Sequence, residues 1–414
     1  MSKLLQQYER KGDKKNSPFF EEYLEKIYLR REQYGFDELV NYLRACIIQV
    51  GNGDAIPYLA ELYLMTPYRF SVGFRGKTHN IYVLTIKKEY PAMIILEPHD
   101  SNYIDNFTYT NMLFPRAKEK KHAKYIGELF SSNNVKELKK ILSSQEIRFQ
   151  EKEQIPNSFL ANDNFTFSQI SYFSGNVIGY TESDLTDFTS LGLGEPFTLS
   201  QEDEKTLEKS DKLQRHFGLH DLIRGIDHLA SRVLCGDREH AILEFMCMTN
   251  YYFWGAYNIE DMNSSTNVSR NPRVTNELLS PAKVFTANNT PFYTKSIDGL
   301  ASPTEDFVRN FGKRMHHMAY EVEDGAQEDG MKNIDYVVGK LITSDVKFLE
   351  QIIGECTDFP DLKQIFSKSS KYSVLITEYV QRCQGYEGFF SKENVAYLTK
   401  AAGADEALHV PGHD

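Results

Sequence analysis

The stretch Lys371-Tyr-Ser-Val374-Leu-Ile376-Thr-Glu378-Tyr-Val380-Gln-Arg382 decides how the fold is read. Val374, Ile376 and Val380 recur with period two, the mark of a β-strand with one apolar face, and Glu378 falls on that same face. A carboxylate aimed at an apolar interior is costly unless a cation, a metal or several hydrogen bonds accompany it. Standing alone, such a glutamate would sit near a strand end and reach solvent, or pair with an arginine. It does not stand alone. Arg224-Gly-Ile226-Asp-His228-Leu-Ala230 and Lys313-Arg-Met315-His316-His317-Met-Ala319-Tyr-Glu-Val322 are two more strand-like segments, each carrying a histidine. Ile226, His228 and Ala230 share one face, as do Met315, His317 and Ala319. Two imidazoles and one carboxylate can therefore project into a common apolar space. That is the facial set that holds non-haem Fe(II) and leaves coordination positions open for substrate and dioxygen. His316 is the rival to His317, because adjacent residues point to opposite sides of a strand.

The ordered set Gly-Ile-Asp-His228, His317-Met-Ala, Glu378-Tyr-Val-Gln-Arg and Gly-Phe-Phe390-Ser-Lys-Glu-Asn394 resembles 4-hydroxyphenylpyruvate dioxygenase, a family of the vicinal-oxygen-chelate fold. Gln364-Ile-Phe-Ser-Lys368 is similar to the family's motif before its last strand. The resemblance runs from about Gly225 to the region of Leu398 and is faint before that. It implies an α+β protein of two glyoxalase-like barrel domains built from βαβββ modules. It implies Fe(II) held by His228, His317 and Glu378, with His317 favoured over His316 by the family's His-Xaa-Ala. No catalytic residue is implied beyond these ligands. A 2-oxo acid would chelate the iron through its carboxylate and keto oxygen and be oxidatively decarboxylated and hydroxylated with dioxygen. No external 2-oxoglutarate would be needed, since the substrate carries its own oxo acid. Phe390 matches the aromatic residue packed on the substrate ring, Gln364 matches a polar pocket residue, and Ser280 and Asn394 complete the substrate-binding set that the resemblance suggests. A homo-oligomer, dimer or tetramer, is also implied.

The chain departs from the family in the pocket. The family's Asn-Glu-Pro segment is not visible, Pro291-Phe-Tyr-Thr-Lys295 differs, and Ser302 is nearest to where its other glutamine would fall. Buried polar groups must be matched, so lost partners change which substrate fits. A mandelate-forming enzyme, another aryl or alkyl 2-oxo acid dioxygenase, and a non-catalytic binding protein on the same scaffold are the alternatives.

At 414 residues the chain is too long for one ordinary core. A formal net charge of −11 disfavours nucleic acid or an anionic membrane as the main partner, because both need a basic footprint. The five cysteines, Cys46, Cys235, Cys247, Cys356 and Cys383, are scattered and form no Cys-Xaa-Xaa-Cys pair. That argues against a disulfide framework and a structural zinc site, and for reduced thiols in a cytoplasmic protein. The polar N-terminus lacks the apolar run of a signal peptide, and no segment approaches membrane-spanning length.

Along the chain, residues 1–56 are expected as a mobile tail to Asn16 followed by a helical extension. Its first helix opens at Ser17-Pro18, and its second covers about 36–50, with Leu39, Tyr42, Leu43 and Ile47 at helical spacing. The pair serves as a packing lid, or as an interaction element. Residues 57–182 are expected as the first vicinal-oxygen-chelate domain, without a metal site, its His99 and His122 being ordinary polar residues at strand edges. An acidic, partly helical, solvent-facing linker covers 183–222. The catalytic domain covers 223–402. Within it Ser264 to Asn276 reads as a loop, Asn288 to Tyr293 as a turn and strand start, Asp335 to Leu341 as a linker and Ser344 to Ile353 as a helix. A terminal helix from Lys392 would cover the pocket and exclude water. Residues 403–414, with His409 and His413, read as a disordered tail.

Overall fold

The computed structural model describes residues 2–7, 11–12, 17–87, 90–185, 187–259, 263–273, 280–290, 303–349, 351–386 and 388–403. The elements of the first half are α1 (Lys3–Gln7), β1 (Lys11–Gly12), α2 (Ser17–Tyr34), β2 (Val40–Gln49), α3 (Ala55–Met65), β3 (Arg69–Arg75), β4 (His79–Thr85), β5 (Ala92–Pro98), α4 (Asn106–Met112), β6 (Lys124–Ser132), α5 (Val135–Ser144), β7 (Thr166–Phe167), β8 (Val177–Thr181) and β9 (Glu195–Phe197). Those of the second are α6 (Gln201–His216), α7 (Leu219–Leu222), β10 (Ile223–Arg232), α8 (Arg238–Met248), β11 (Tyr252–Ile259), β12 (Ser264–Arg270), β13 (Ala282–Asn288), α9 (Pro303–Phe311), β14 (Arg314–Val322), α10 (Asn333–Thr343), β15 (Asp361–Phe366), β16 (Ile376–Cys383) and α11 (Lys392–Gly403).

Two mixed sheets result, in the orders β7-β8-β6-β2-β5-β4-β3-β9 and β1-β11-β12-β13-β10-β14-β16-β15. The pairing scheme is the same in both. β2 runs parallel to β5 and antiparallel to β6, which is parallel to β8; β10 does the same with β13, β14 and β16. Even the irregularities repeat. Arg44 in β2 and Asp227 in β10 are each skipped in the pairing with the antiparallel neighbour, as are Ile126 in β6 and His316 in β14. Such skipped residues are β-bulges, which bend a strand and re-aim side chains.

The matched registers give position-by-position equivalents. Ala45 faces Ala92 as His228 faces Ala282, Gly127 faces Ile47 as His317 faces Ala230, and Gly179 faces Leu129 as Glu378 faces Ala319. The first unit thus carries Ala, Gly and Gly where the second carries His, His and Glu. Its interior is filled instead by Ile47, Phe74, Phe159, Phe165, Phe167 and their neighbours. A Cβ on Gly179 would run into the ring of Phe167, so glycine there is a packing requirement.

Several expectations are corrected. Residues 36–50 are not a helix: Val40–Gln49 is a central strand of the first sheet, with Ala45 to Gln49 all buried. A strand covered on both faces reads as a continuous apolar run, which periodicity cannot tell from a helix. The helix lies just after it, at Ala55–Met65, with Pro57 in its first turn where a missing N–H is harmless. Ser264 to Arg270 is a buried strand, not a loop; Thr266 and Thr286 share a hydroxyl hydrogen bond of 2.9 Å, which lets polar residues line the barrel. The helix expected at Ser344 to Ile353 lies earlier, at Asn333–Thr343, and covers the expected linker. It buries Val337, Val338 and Leu341, and Asp345 stops it with φ of 68°.

The expectation of five reduced cysteines also fails: Cys356 and Cys383 form a disulfide with Cα atoms 5.5 Å apart, joining a loop to the end of the Glu378 strand. The N-terminus is not simply a free tail. Ser2 donates to Glu32 at 2.7 Å, and Lys11–Gly12 pairs with Gly255 and Ala256. The strand start expected at Pro291 to Tyr293, together with Ser302, His409 and His413, lies outside the described residues.

The extension helix α2 acts as a packing lid. Its buried Arg31 donates to the carbonyls of Asn250 and Tyr251 at 2.7 and 2.6 Å while pairing with Asp37 at 2.6 Å, so it ties the end of α8 to the start of the first sheet. Tyr379 donates its hydroxyl to the Met65 carbonyl at 2.7 Å, a second tie between the units. In the acidic connection, α6 is less solvent-facing than expected: Leu207 and Gln214 are buried, and Asp211 pairs with Arg69 at 2.6 Å.

Candidate metal centre

Three neighbouring strands of the second sheet bring His228, His317 and Glu378 together. The ligating atoms lie within 4.8 Å of one another. Glu378 Oε2 stands 3.1 Å from His228 Nε2 and 3.3 Å from His317 Nε2. Ligands about 2.1 Å from one ion at right angles sit about 3.0 Å apart, so the spacing is that of donors round a shared centre. His228 is 0% and Glu378 1% exposed. Beyond one another, His228 Nε2 and both Glu378 oxygens have no hydrogen-bond partner among the described residues. Orphaned donors this deep are costly, and a cation placed between them would satisfy all three. The residues fit a divalent metal.

Each histidine is oriented through its other nitrogen by its chain neighbour, and the two bulges make this possible. Asp227, skipped by the ladder, swings round to accept from His228 Nδ1 at 2.7 Å. Arg382, at the end of the Glu-Tyr-Val-Gln-Arg motif, grips Asp227 with two bonds of 2.8 and 3.0 Å. The same guanidinium donates to the carbonyls of Gly388 and Phe389 at 2.8 and 3.2 Å. It thereby fixes the turn that lays Phe389 and Phe390 edge-on to the His228 ring, each centroid 5.3 Å away. With Nδ1–H committed to a carboxylate, His228 presents the Nε2 lone pair to the centre. On β14 the bulge at His316 brings its Nδ1 to 2.8 Å from His317 Nδ1 and leaves both imidazoles beside one cavity. The rule that adjacent strand residues point apart is broken here; it is His317 whose Nε2 faces Glu378, and His316 packs against it through Nδ1.

The electrostatics follow from this packing. Burial presses the His228 imidazole down, but Glu378 and Asp227 outweigh it and raise its pKa to about 9. Burial, with the neighbouring His228 and Arg232, holds His317 well below the ordinary imidazole range. Burial raises the Glu378 carboxyl despite His228. Burial also pushes Asp227 upward, yet Arg382 and His228 win and hold it far below the usual carboxylate range.

A cavity of ≈50 Å³ adjoins the donors, lined in part by Gln364, Phe366, Phe390 and, from α11, Val395, Leu398 and Thr399. Of the substrate residues suggested by sequence, the structure brings Gln364 and Phe390 to this cavity. Gln364 is 0% exposed, with neither amide atom bonded among the described residues. Ser280 and Asn394 are not brought there. The Ser280 hydroxyl accepts from the Leu43 backbone of the first unit at 2.9 Å, and the Asn394 amide donates to the Leu362 carbonyl at 3.2 Å, anchoring α11. Sequence reasoning missed the places of Asp227 and Arg382, and left His316 open between backing His317 and facing solvent, because these placements depend on the bulges. The signal for Arg382 was its place two strand steps beyond Glu378 on the same face.

In structure the chain is similar to a mutant of 4-hydroxymandelate synthase from Streptomyces coelicolor, with 12% identity and a TM-score of 0.59 over 88% of this chain and 98% of that one. It is also similar to a fusion of a xylose isomerase-like TIM barrel with 4-hydroxyphenylpyruvate dioxygenase, with 12% identity and a TM-score of 0.55 over 91% of this chain. It spans 56% of the fusion's length. No protein-family model matches the chain, and no curated protein matches its sequence. The likeness is one of fold: the chain has the vicinal-oxygen-chelate fold, in an arrangement like that of 4-hydroxyphenylpyruvate dioxygenase. Among the described residues no helix is long and apolar enough to cross a membrane.

Proposed function

We propose that this chain is a non-haem Fe(II) dioxygenase that oxidatively decarboxylates and hydroxylates a 2-oxo acid, with His228, His317 and Glu378 as the metal ligands. The observation that carries this reading is the convergence of three buried donors, from three strands, within 4.8 Å. When bound, ferrous iron supplies the redox chemistry and the open positions that a chelating oxo acid and dioxygen require.

The chain's own residues do the rest. Asp227 and His316 hold the two imidazoles with their Nε2 atoms inward. Phe389 and Phe390 wall off one side of His228 and keep water from it. Gln364 offers an uncommitted amide to a polar group of the bound acid. Val395 and Leu398 of α11 close the cavity with apolar surface. The catalytic unit in this proposal is 223–402, and the first unit, with Ala45, Gly127 and Gly179 at the donor positions, is its packing partner.

Oxygen uptake by the iron-loaded protein tests this, with a panel of aryl, alkyl and acidic 2-oxo acids, no separate oxo acid co-substrate, and products identified by mass. At least one acid is expected to drive uptake with loss of carbon dioxide. A flat trace across the panel, with iron bound, would leave a binding role on this scaffold.

A further inference from the structure

A second cavity, of ≈180 Å³, lies between the two units, on the back of a strand whose front lines the metal cavity. Along β13, Val284 and Thr286 face the metal cavity while Lys283 and Phe285 face this one, as strand alternation requires. The first unit contributes Glu128 of β6 and its ladder partner Ile178 of β8. Asn176, two residues before Ile178, shares their face. α8 closes the other side with Ala241, Glu244, Phe245 and Met248, whose spacing makes one face of the helix.

Two groups in this cavity are incomplete. Asn176 is 3% exposed, and neither its Oδ1 nor its Nδ2 has a hydrogen-bond partner among the described residues. A buried amide left so is costly, and a guest that both donates and accepts completes it. Glu244 is partly buried and accepts from the Ser171 hydroxyl, but among the described residues no cation stands within 4.0 Å of it. Lys313, whose charge reaches Glu244, is itself held by Asp237 at 3.2 Å. Burial raises the Glu244 carboxyl above its ordinary range in spite of Ser171 and Lys313, as befits a carboxylate short of a counter-charge. The other charges lining the cavity cancel: Lys283 pairs with Glu128, and Glu146 and Arg148 are both exposed and of opposite sign. One negative charge is left over. Glu244 belongs to no metal-ligating group among the described residues, so the cation that suits it is organic.

We propose that this cavity binds a small primary amine carrying a neutral oxygen acceptor at its other end. The ammonium donates to Glu244 and to Asn176 Oδ1. Asn176 Nδ2 donates to the neutral oxygen, as does Lys283, whose ammonium has three N–H groups and gives one to Glu128. A carboxylate in place of the neutral group would bring a second anion beside Glu128 and restore the surplus charge. A quaternary ammonium would leave Asn176 Oδ1 unpaired. A cavity of about 150 Å³ accepts a six-carbon ring, so the guest has about six non-hydrogen atoms. The site is separate from the metal centre and does not depend on the dioxygenase reading.

Calorimetric titration of the Mn(II)-loaded full chain with 3-aminopropanamide tests this. The controls are butanamide, with a methyl in place of the ammonium, and 3-aminopropanoate, with a carboxylate in place of the amide. In the wild type the aminoamide is expected to bind at least ~10-fold more tightly than either control. Glu244→Gln is expected to bring it to within about twofold of butanamide, and Asn176→Ala to weaken it by at least ~5-fold. Equal binding of aminoamide and butanamide by the wild type, or binding of neither, overturns the proposal and leaves a cavity for water only. Aminopropanoate bound as tightly as the aminoamide overturns the neutral far end. An undiminished preference in Glu244→Gln places the amine elsewhere and overturns the site. The wild-type comparison decides the matter even if a variant does not fold.

Discussion

Asp227→Asn is the substitution that probes the centre's scaffolding most sharply. The change is isosteric, and the new amide oxygen still accepts from His228 Nδ1, so the strand geometry is kept. What disappears is the charge that Arg382 holds with bonds of 2.8 and 3.0 Å. The Arg382 side chain is 15% exposed and that of Asp227 12%, so water replaces little of the lost attraction. Removing one partner of a buried pair costs about 3–5 kcal/mol, because the other charge stays buried without compensation. For units of this size each kcal/mol lowers Tm by about 2–4 °C, giving a drop of about 6–20 °C. The imidazole also becomes a poorer donor, and metal affinity is expected to fall by about 10–100-fold. Scanning calorimetry of the metal-free protein and Mn(II) titration of the variant check the two effects separately. The cycle with Arg382→Met adds the decisive test: with both charges gone the double variant is expected to be more stable than Asp227→Asn alone. A cost under about 1 kcal/mol, or costs that simply add, would refute the reasoning that the pair is a buried brace.

Other expectations follow from the same structure. Tyr379→Phe removes the hydroxyl bond to the Met65 carbonyl and is expected to cost about 1–2 kcal/mol in urea unfolding while leaving bound metal unchanged. Saturating divalent metal at about 100 times its Kd is expected to add ~2.7 kcal/mol to wild-type stability, and nothing to His317→Ala; thermal unfolding with and without chelator reads this. Acid unfolding is expected to report on His79. Burial, with His99 and His122 nearby, lowers its pKa to about 4, so the folded state resists a proton that the unfolded chain takes at about 6.5. That contribution is complete above about pH 6.5 and is lost as pH falls through 4, about 3–4 kcal/mol in all; His79→Gln is expected to flatten the acid limb, which urea midpoints at pH 4.5 and 7 measure.

The gathering of His228, His317 and Glu378 was legible in the sequence for a specific reason. Each donor sits in a strand whose other face-mates are apolar, so His228, His317 and Glu378 stand out against their period-two background. Where that background is missing, the reading failed. β2 is apolar on both faces and carries no period, and it passed for a helix. β12 is mostly Ser, Thr and Asn, and the hydroxyls of Ser265, Thr266 and Ser269 find partners only once β13 and the residue after it are alongside. The bulges at Asp227 and His316 leave no local signature, since one extra residue in a ladder exists only relative to its neighbour. The Cys356–Cys383 pairing likewise depends on a loop meeting the end of β16. Ser280 illustrates the opposite case: a residue near the right strand faces the other unit, where the Leu43 backbone N–H donates to its hydroxyl.

The central claim is that His228, His317 and Glu378 grip one ferrous ion together. Elemental analysis of the chain after anaerobic loading with Fe(II) and desalting tests it most directly. One iron per chain is expected for the wild type, and none above background for His228→Ala and Glu378→Ala with their folds intact. Iron retained equally by those variants, or absent from the wild type, would contradict the account.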